Sequence, residues 1–121
     1  MPKREKPGSQ KPERYIQPSI LMVLQQKPSY GYELISEVSR FGFVEGPAPP
    51  GMIYRHLRDL EENGLVLSEW KTDESGPAKR MYTLTPDGVE ILGYWIIHMQ
   101  SQVDKLTNFI QLYKETMKSG K

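Results

Sequence analysis

Gly76-Pro77-Ala78-Lys79-Arg80-Met81-Tyr82-Thr83-Leu84-Thr85 is the stretch that decides the fold. The turn formers Asp73, Glu74, Ser75, Gly76 and Pro77 separate one strand-like run, Leu65 to Thr72, from a second, Ala78 to Leu84. That is the pattern of an antiparallel hairpin. Lys79 and Arg80 stand just past the turn, where they reach outward, while Tyr82 and Leu84 anchor the strand inward. Behind the hairpin, Thr85-Pro86-Asp87 supplies an N-cap hydroxyl, a proline whose missing N–H costs nothing at the first helical position, and an acid that complements the helix dipole. A basic-tipped hairpin that runs straight into a helix has the anatomy of a wing.

Upstream of it three helices are expected. Ile20, Leu21, Val23 and Leu24 make the first, which stops at Lys27-Pro28. Ser29 is the expected N-cap of the second, with Glu33 near its first turn and Leu34, Ile35, Val38 and Phe41 as its buried side. Gly42 begins the exit, and Gly46-Pro47-Ala48-Pro49-Pro50-Gly51 is a stiff loop. The third helix spans about Gly51 to Asn63, closed by Asn63-Gly64. Ile53, Leu57 and Leu60 fall on one stripe at 3.6 periodicity, so at about 100° per residue Arg55 projects away from the core, with Arg58 beside it and Tyr54 on the flank. Three helices and then a two-stranded wing is the order of a winged helix-turn-helix, whose third helix enters the major groove of double-stranded DNA. The fold class expected is mainly α with a small β-wing. Residues 1–14, rich in proline and basic residues without apolar periodicity, are expected to be a disordered basic arm, 15–85 the winged DNA-binding domain, and 86–118 a long C-terminal dimerisation helix.

That last helix carries Leu92, Ile96, Met99, Val103, Leu106, Ile110, Tyr113 and Met117, spaced 4, 3, 4, 3, 4, 3 and 4 residues apart. An unbroken 3.5-residue repeat is a coiled-coil seam, because a straight helix lets its stripe drift by about 20° per heptad. No other helix offers a partner of similar length, so the seam argues for a twofold homodimer. Trp95 and Phe109 precede Ile96 and Ile110 by one residue and widen the apolar face. They either pack on the winged domain or line a site for an apolar small-molecule effector.

Composition bounds the remaining classes. A chain of 121 residues fits one modest domain that gains by pairing. It has no cysteine, and two isolated histidines, His56 and His98, make no zinc site of the usual kind, so no cofactor is expected. No apolar run approaches the roughly 18 residues of a membrane span, and the basic N-terminus lacks a signal peptide's apolar stretch, so a cytoplasmic location is expected. The net charge is only +1, but residues 1–14 hold Lys3, Arg4, Lys6, Lys11 and Arg14 against Glu5 and Glu13, a local +3 that leaves −2 for the rest. Ser29, Ser36, Ser75 and His98 are scattered, and no paired carboxylates or glycine-rich phosphate cradle point to an enzyme.

Residues 15 to 92 resemble PadR-type transcriptional regulators. The likeness is carried by Gly31-Tyr32-Glu33-Leu34, by Gly51-Met52-Ile53-Tyr54 with Leu57, Leu60, Glu61 and Gly64, and by the wing. It implies DNA contacts at Tyr54, Arg55, Arg58, Lys79 and Arg80, a dimerising final helix, and an effector site at the dimer centre. Met52 stands where the family commonly has threonine and Arg55 where it commonly has proline, so the operator sequence does not transfer. A narrower likeness, through Ser68-Glu69-Trp70, Gly76-Pro77-Ala78-Lys79-Arg80 and the spaced residues Trp95, Gln102, Leu106, Phe109 and Leu112-Tyr113, runs to the polyhydroxybutyrate-responsive repressors of that family. The expected function is a homodimeric repressor whose operator binding responds to a small-molecule or polymer-related effector. The alternative is a winged-helix module for protein–protein interaction, favoured by the near-neutral charge.

Overall fold

The computed structural model describes residues 13–72 and 76–120. Most of the basic arm and the turn residues Asp73, Glu74 and Ser75 therefore lie outside the described residues. In chain order the elements are α1 (Ile16–Gln26), β1 (Ser29–Tyr30), α2 (Gly31–Val38), a 3-10 turn (Ser39–Phe41), α3 (Pro50–Glu62), β2 (Val66–Lys71), β3 (Lys79–Leu84) and α4 (Pro86–Ser119). The result is a mostly helical winged helix with a three-stranded antiparallel sheet in the order β1-β3-β2.

The third strand corrects the expectation at Ser29. Ser29 pairs with Tyr82 and Tyr30 with Met81. Ser29 is buried in this ladder and its hydroxyl donates to the Lys27 carbonyl at 3.2 Å, so it caps no helix. The N-cap is Tyr30, whose N–H donates to the Glu33 carboxylate at 2.8 Å. A two-residue strand is too short to leave an alternating pattern in the sequence. Helix α2 also stops early, at Val38, and Phe41 packs on the core from the 3-10 turn instead.

Helix α1 lies at the centre. It brings Ile16, Ile20, Leu21 and Leu24 against Leu34 and Val38 of α2, and against Ile53, Leu57 and Leu60 of α3, all buried. Tyr82 of β3 closes this core from the wing side, as its inward position in the sequence suggests. Helix α3 ends as expected, with Gly64 at φ +75°, the Gly64 N–H on the Glu61 carbonyl and the Leu65 N–H on the Leu60 carbonyl. This Schellman turn needs a left-handed residue, which glycine adopts without strain.

Thr85 ties the start of α4 to that turn. Its hydroxyl accepts from the Gly88 N–H at 3.0 Å and donates to the Gly64 carbonyl at 2.7 Å, and its own N–H donates to the Leu65 carbonyl. Helix α4 has 34 residues and is therefore about 51 Å long. Only its first part packs on the domain, and every residue from 103 to 120 is exposed. Leu92 corrects the seam: it is 7% exposed and belongs to the domain core, so the open stripe begins at Ile96. The heptad spacing marks a face of the helix, and the domain's own α1 covers the beginning of that face.

Candidate nucleic-acid interface

Tyr54 is placed by the glycine opposite it. A Cβ at Gly31 would stand 2.7 Å from the Tyr54 ring, so glycine leaves the room in which the ring lies and a larger residue would displace it. The same tyrosine lines a cleft of about 350 Å³ between α2, α3 and the wing, together with Tyr30, Tyr32, Trp70, Lys79 and Arg80. Tyr30 and Tyr32 stack at 5.8 Å with an interplanar angle of 8°. The Lys79 ammonium sits 5.7 and 5.4 Å from their ring centroids, close enough for cation–π attraction.

Arg80 lies 5.5 Å from the Trp70 ring, its cross-strand partner. Its Nε donates to Ser68 Oγ at 2.8 Å, Ser68 donates in turn to Glu61 at 2.7 Å, and an Arg80 Nη2 atom lies 3.7 Å from Glu61. The wing cation is thus tethered to α3 while its side chain stays 46% exposed. Tyr82 lies beneath, where burial pushes its phenol up from the ordinary value and keeps it neutral.

Arg58 is exposed on α3, one turn from both Tyr54 and Glu61. Arg55 occupies the outer face and is not free. Its Nη2 donates to the Glu13 carboxylate, which also accepts from His56 Nε2 at 2.7 Å. The hydrogen bonds from His56 and Arg55 hold the Glu13 carboxyl below its ordinary value. Tyr54, Lys79 and Arg80 thus line one cleft, Arg58 stands exposed one helical turn from Tyr54, and Arg55 is drawn to Glu13. Sequence reasoning missed Glu13, His56 and Tyr30. Glu13 and Arg55 are 42 residues apart and leave no periodic signal.

Trp95 and Phe109 of α4 are not brought together within one chain. Trp95 is half-buried against the core, edge-on to Tyr15 at 6.2 Å and to His98 at 5.9 Å. Phe109 is 73% exposed and lies about 21 Å farther along the helix. Beside Trp95, an open hollow of about 260 Å³ is lined by Ile91, Tyr94 and His98. Among the described residues no group of acidic, histidine or cysteine side chains is arranged to hold a metal ion, and no helix is long and apolar enough to cross a membrane.

A three-helix core with exposed arginines on its third helix, flanked by a basic wing, defines the winged helix-turn-helix class. Within it, the chain belongs to the PadR-like family of transcriptional regulators, whose profile matches residues 20–94. Among solved structures, the chain is similar to the conserved protein of unknown function TM0937, a potential transcriptional factor, with 30% identity over 96% of this chain and 100% of that one (TM-score 0.77). A PadR-like transcriptional regulator from Bacillus cereus is 26% identical over 85% of this chain and 98% of that one (TM-score 0.72). Bacillus subtilis PadR in complex with operator DNA is 27% identical over 69% of this chain and 48% of that one (TM-score 0.61). Among curated proteins none matches.

Proposed function

We propose that the chain is a homodimeric repressor that binds operator DNA through α3 and the wing, and that an apolar effector modulates this binding. The observation that carries it is the cleft between α3 and the wing where Tyr54, Lys79 and Arg80 meet, with Arg55 and Arg58 exposed on the same helix. The likeness to a PadR protein solved with operator DNA supports the same reading. A gel-shift with the DNA upstream of the gene tests it against a protein-interaction role, since a regulator of this type often controls its own operon.

The two kinds of contact predict different losses. Arg80→Ala should weaken binding to all sequences about equally and flatten the log–log salt slope by roughly 0.9 per wing. Arg55→Ala should instead erode discrimination by about 1–3 kcal/mol. Titrations of both variants with specific and random duplexes at several salt concentrations check this. Equal behaviour of the two would overturn the groove assignment.

Dimerisation through α4 is supported by the exposed apolar side chains of its projecting half, among them Val103, Leu106, Ile110, Tyr113 and Met117, each more than half open to water. An isolated helix of that length is marginal in water, so this half needs a partner surface. An antiparallel pair crossing near residue 102 would set Trp95 of one copy beside Phe109 of the other, around the hollow at Ile91, Tyr94 and His98. That gives an apolar effector a route to change the spacing of the two wings, to which each α4 is tied through Thr85. The likeness to polyhydroxybutyrate-responsive repressors makes hydroxybutyrate oligomers one probe and planar aromatics another. In a Trp70→Phe background, either should shift or quench Trp95 emission and release DNA in parallel. Unchanged emission with both leaves Trp95 a packing residue.

A further inference from the structure

We propose that Glu13 is a positioning residue for DNA recognition, holding the Arg55 guanidinium in the orientation in which its other N–H groups meet a guanine edge. The inference rests on the reading of Arg55 as the base-contacting residue. An arginine on an open helix face samples many rotamers, and a bidentate contact to guanine O6 and N7 requires one of them. A side chain held in advance loses less freedom when it binds and discriminates more sharply.

The contacts run from the packed domain outward. Gln17 on α1 donates its side-chain N–H to His56 Nδ1 at 3.1 Å, which leaves the imidazole proton on Nε2. That Nε2–H donates to Glu13 Oε1 at 2.7 Å, and the same oxygen accepts from Arg55 Nη2. The His56 side chain is only 13% exposed, so the carboxylate is anchored to a fixed ring rather than to a mobile one. Arg55 meets Glu13 through Nη2 alone and its side chain stays 55% exposed. A contact that masked the arginine would bury it. This one restrains it and takes up one Nη2 N–H, so the other Nη2 N–H can still pair with Nε–H or Nη1–H in a two-pronged contact.

Glu13 has a second, opposite effect. Its carboxyl is held below the ordinary value, so it is ionised at neutral pH and repels any phosphate backbone nearby. Removing the charge therefore pulls in two directions: base reading is lost, while sequence-independent attraction rises. A merely structural acid produces neither, and a merely repulsive one produces only the second.

The test uses the full chain and the duplex that it enriches from a pool of random sequences, with a scrambled duplex of equal length as reference. Affinities are measured for the wild type, Glu13→Gln, Arg55→Ala and the double variant. Glu13→Gln should lower the ratio of enriched to scrambled affinity by about fivefold per half-site, with scrambled binding unchanged or tighter. In the Arg55→Ala background the same substitution should leave the ratio unaltered. Equal tightening on both duplexes, or a loss of ratio that persists without Arg55, would overturn the inference while leaving the role of Arg55 intact. A full ratio in Arg55→Ala itself would sink the groove assignment, and this inference with it.

Discussion

Leu106→Glu is expected to turn the protein into monomers and to lower operator affinity by on the order of 100-fold or more. Leu106 lies in the middle of the exposed stripe of α4, 61% open to solvent in the single chain, with Val103 and Ile110 within one turn on either side. In the free chain the glutamate costs little, because water reaches it. In a paired seam its carboxylate loses that water without gaining a partner, at several kcal/mol per copy. Two linked recognition helices reading half-sites about one helical turn apart gain roughly 10²–10⁴ in avidity over a single one, so DNA binding falls with the dimer. Sedimentation and gel-shift on the same preparation check both halves. A variant that stays dimeric and binds tightly would remove α4 from the interface.

Gly88→Ala is expected to destabilise the fold by about 3 kcal/mol, lowering the melting temperature by on the order of 10 °C. Helix propensity alone predicts the reverse, since alanine is favoured over glycine in a helix interior by roughly 1 kcal/mol. Here the contact decides. A Cβ at Gly88 would stand 2.2 Å from the Leu65 carbonyl oxygen and 2.6 Å from Leu84 Cδ1. The carbonyl is backbone, already accepts from the Thr85 N–H, and cannot yield without shifting α4 against the wing. Gly93, one turn and a half farther on, has nothing within 4 Å of its notional Cβ. Gly93→Ala should therefore raise the melting temperature, and thermal melts of the two variants decide between propensity and packing. A Gly88→Ala protein that melts no lower than the wild type would contradict the close approach of α4 to the end of α3.

Much of the fold is legible in local signals. The Thr85 cap, the left-handed Gly64 and the Ile53, Leu57 and Leu60 stripe each act within a turn or two of the chain, and all three stand in the structure as the residues suggest. The outward direction of Arg55 and Arg58 follows from the same stripe. Helix periodicity determines which residues face away from a core even when the core's other walls are unknown.

What tertiary structure alone decided lies between distant segments. Ser29 became a strand residue because Tyr82 offered it a ladder, although its own neighbours favour a cap. Leu92 left the seam for the core because α1 reached that turn of α4 first. Trp95 found Tyr15, 80 residues earlier, and Arg55 found Glu13. Hydrogen bonding and periodic burial within an element leave a repeating trace in sequence. A contact across the fold requires only that two side chains arrive at one place, and single residues record no such meeting.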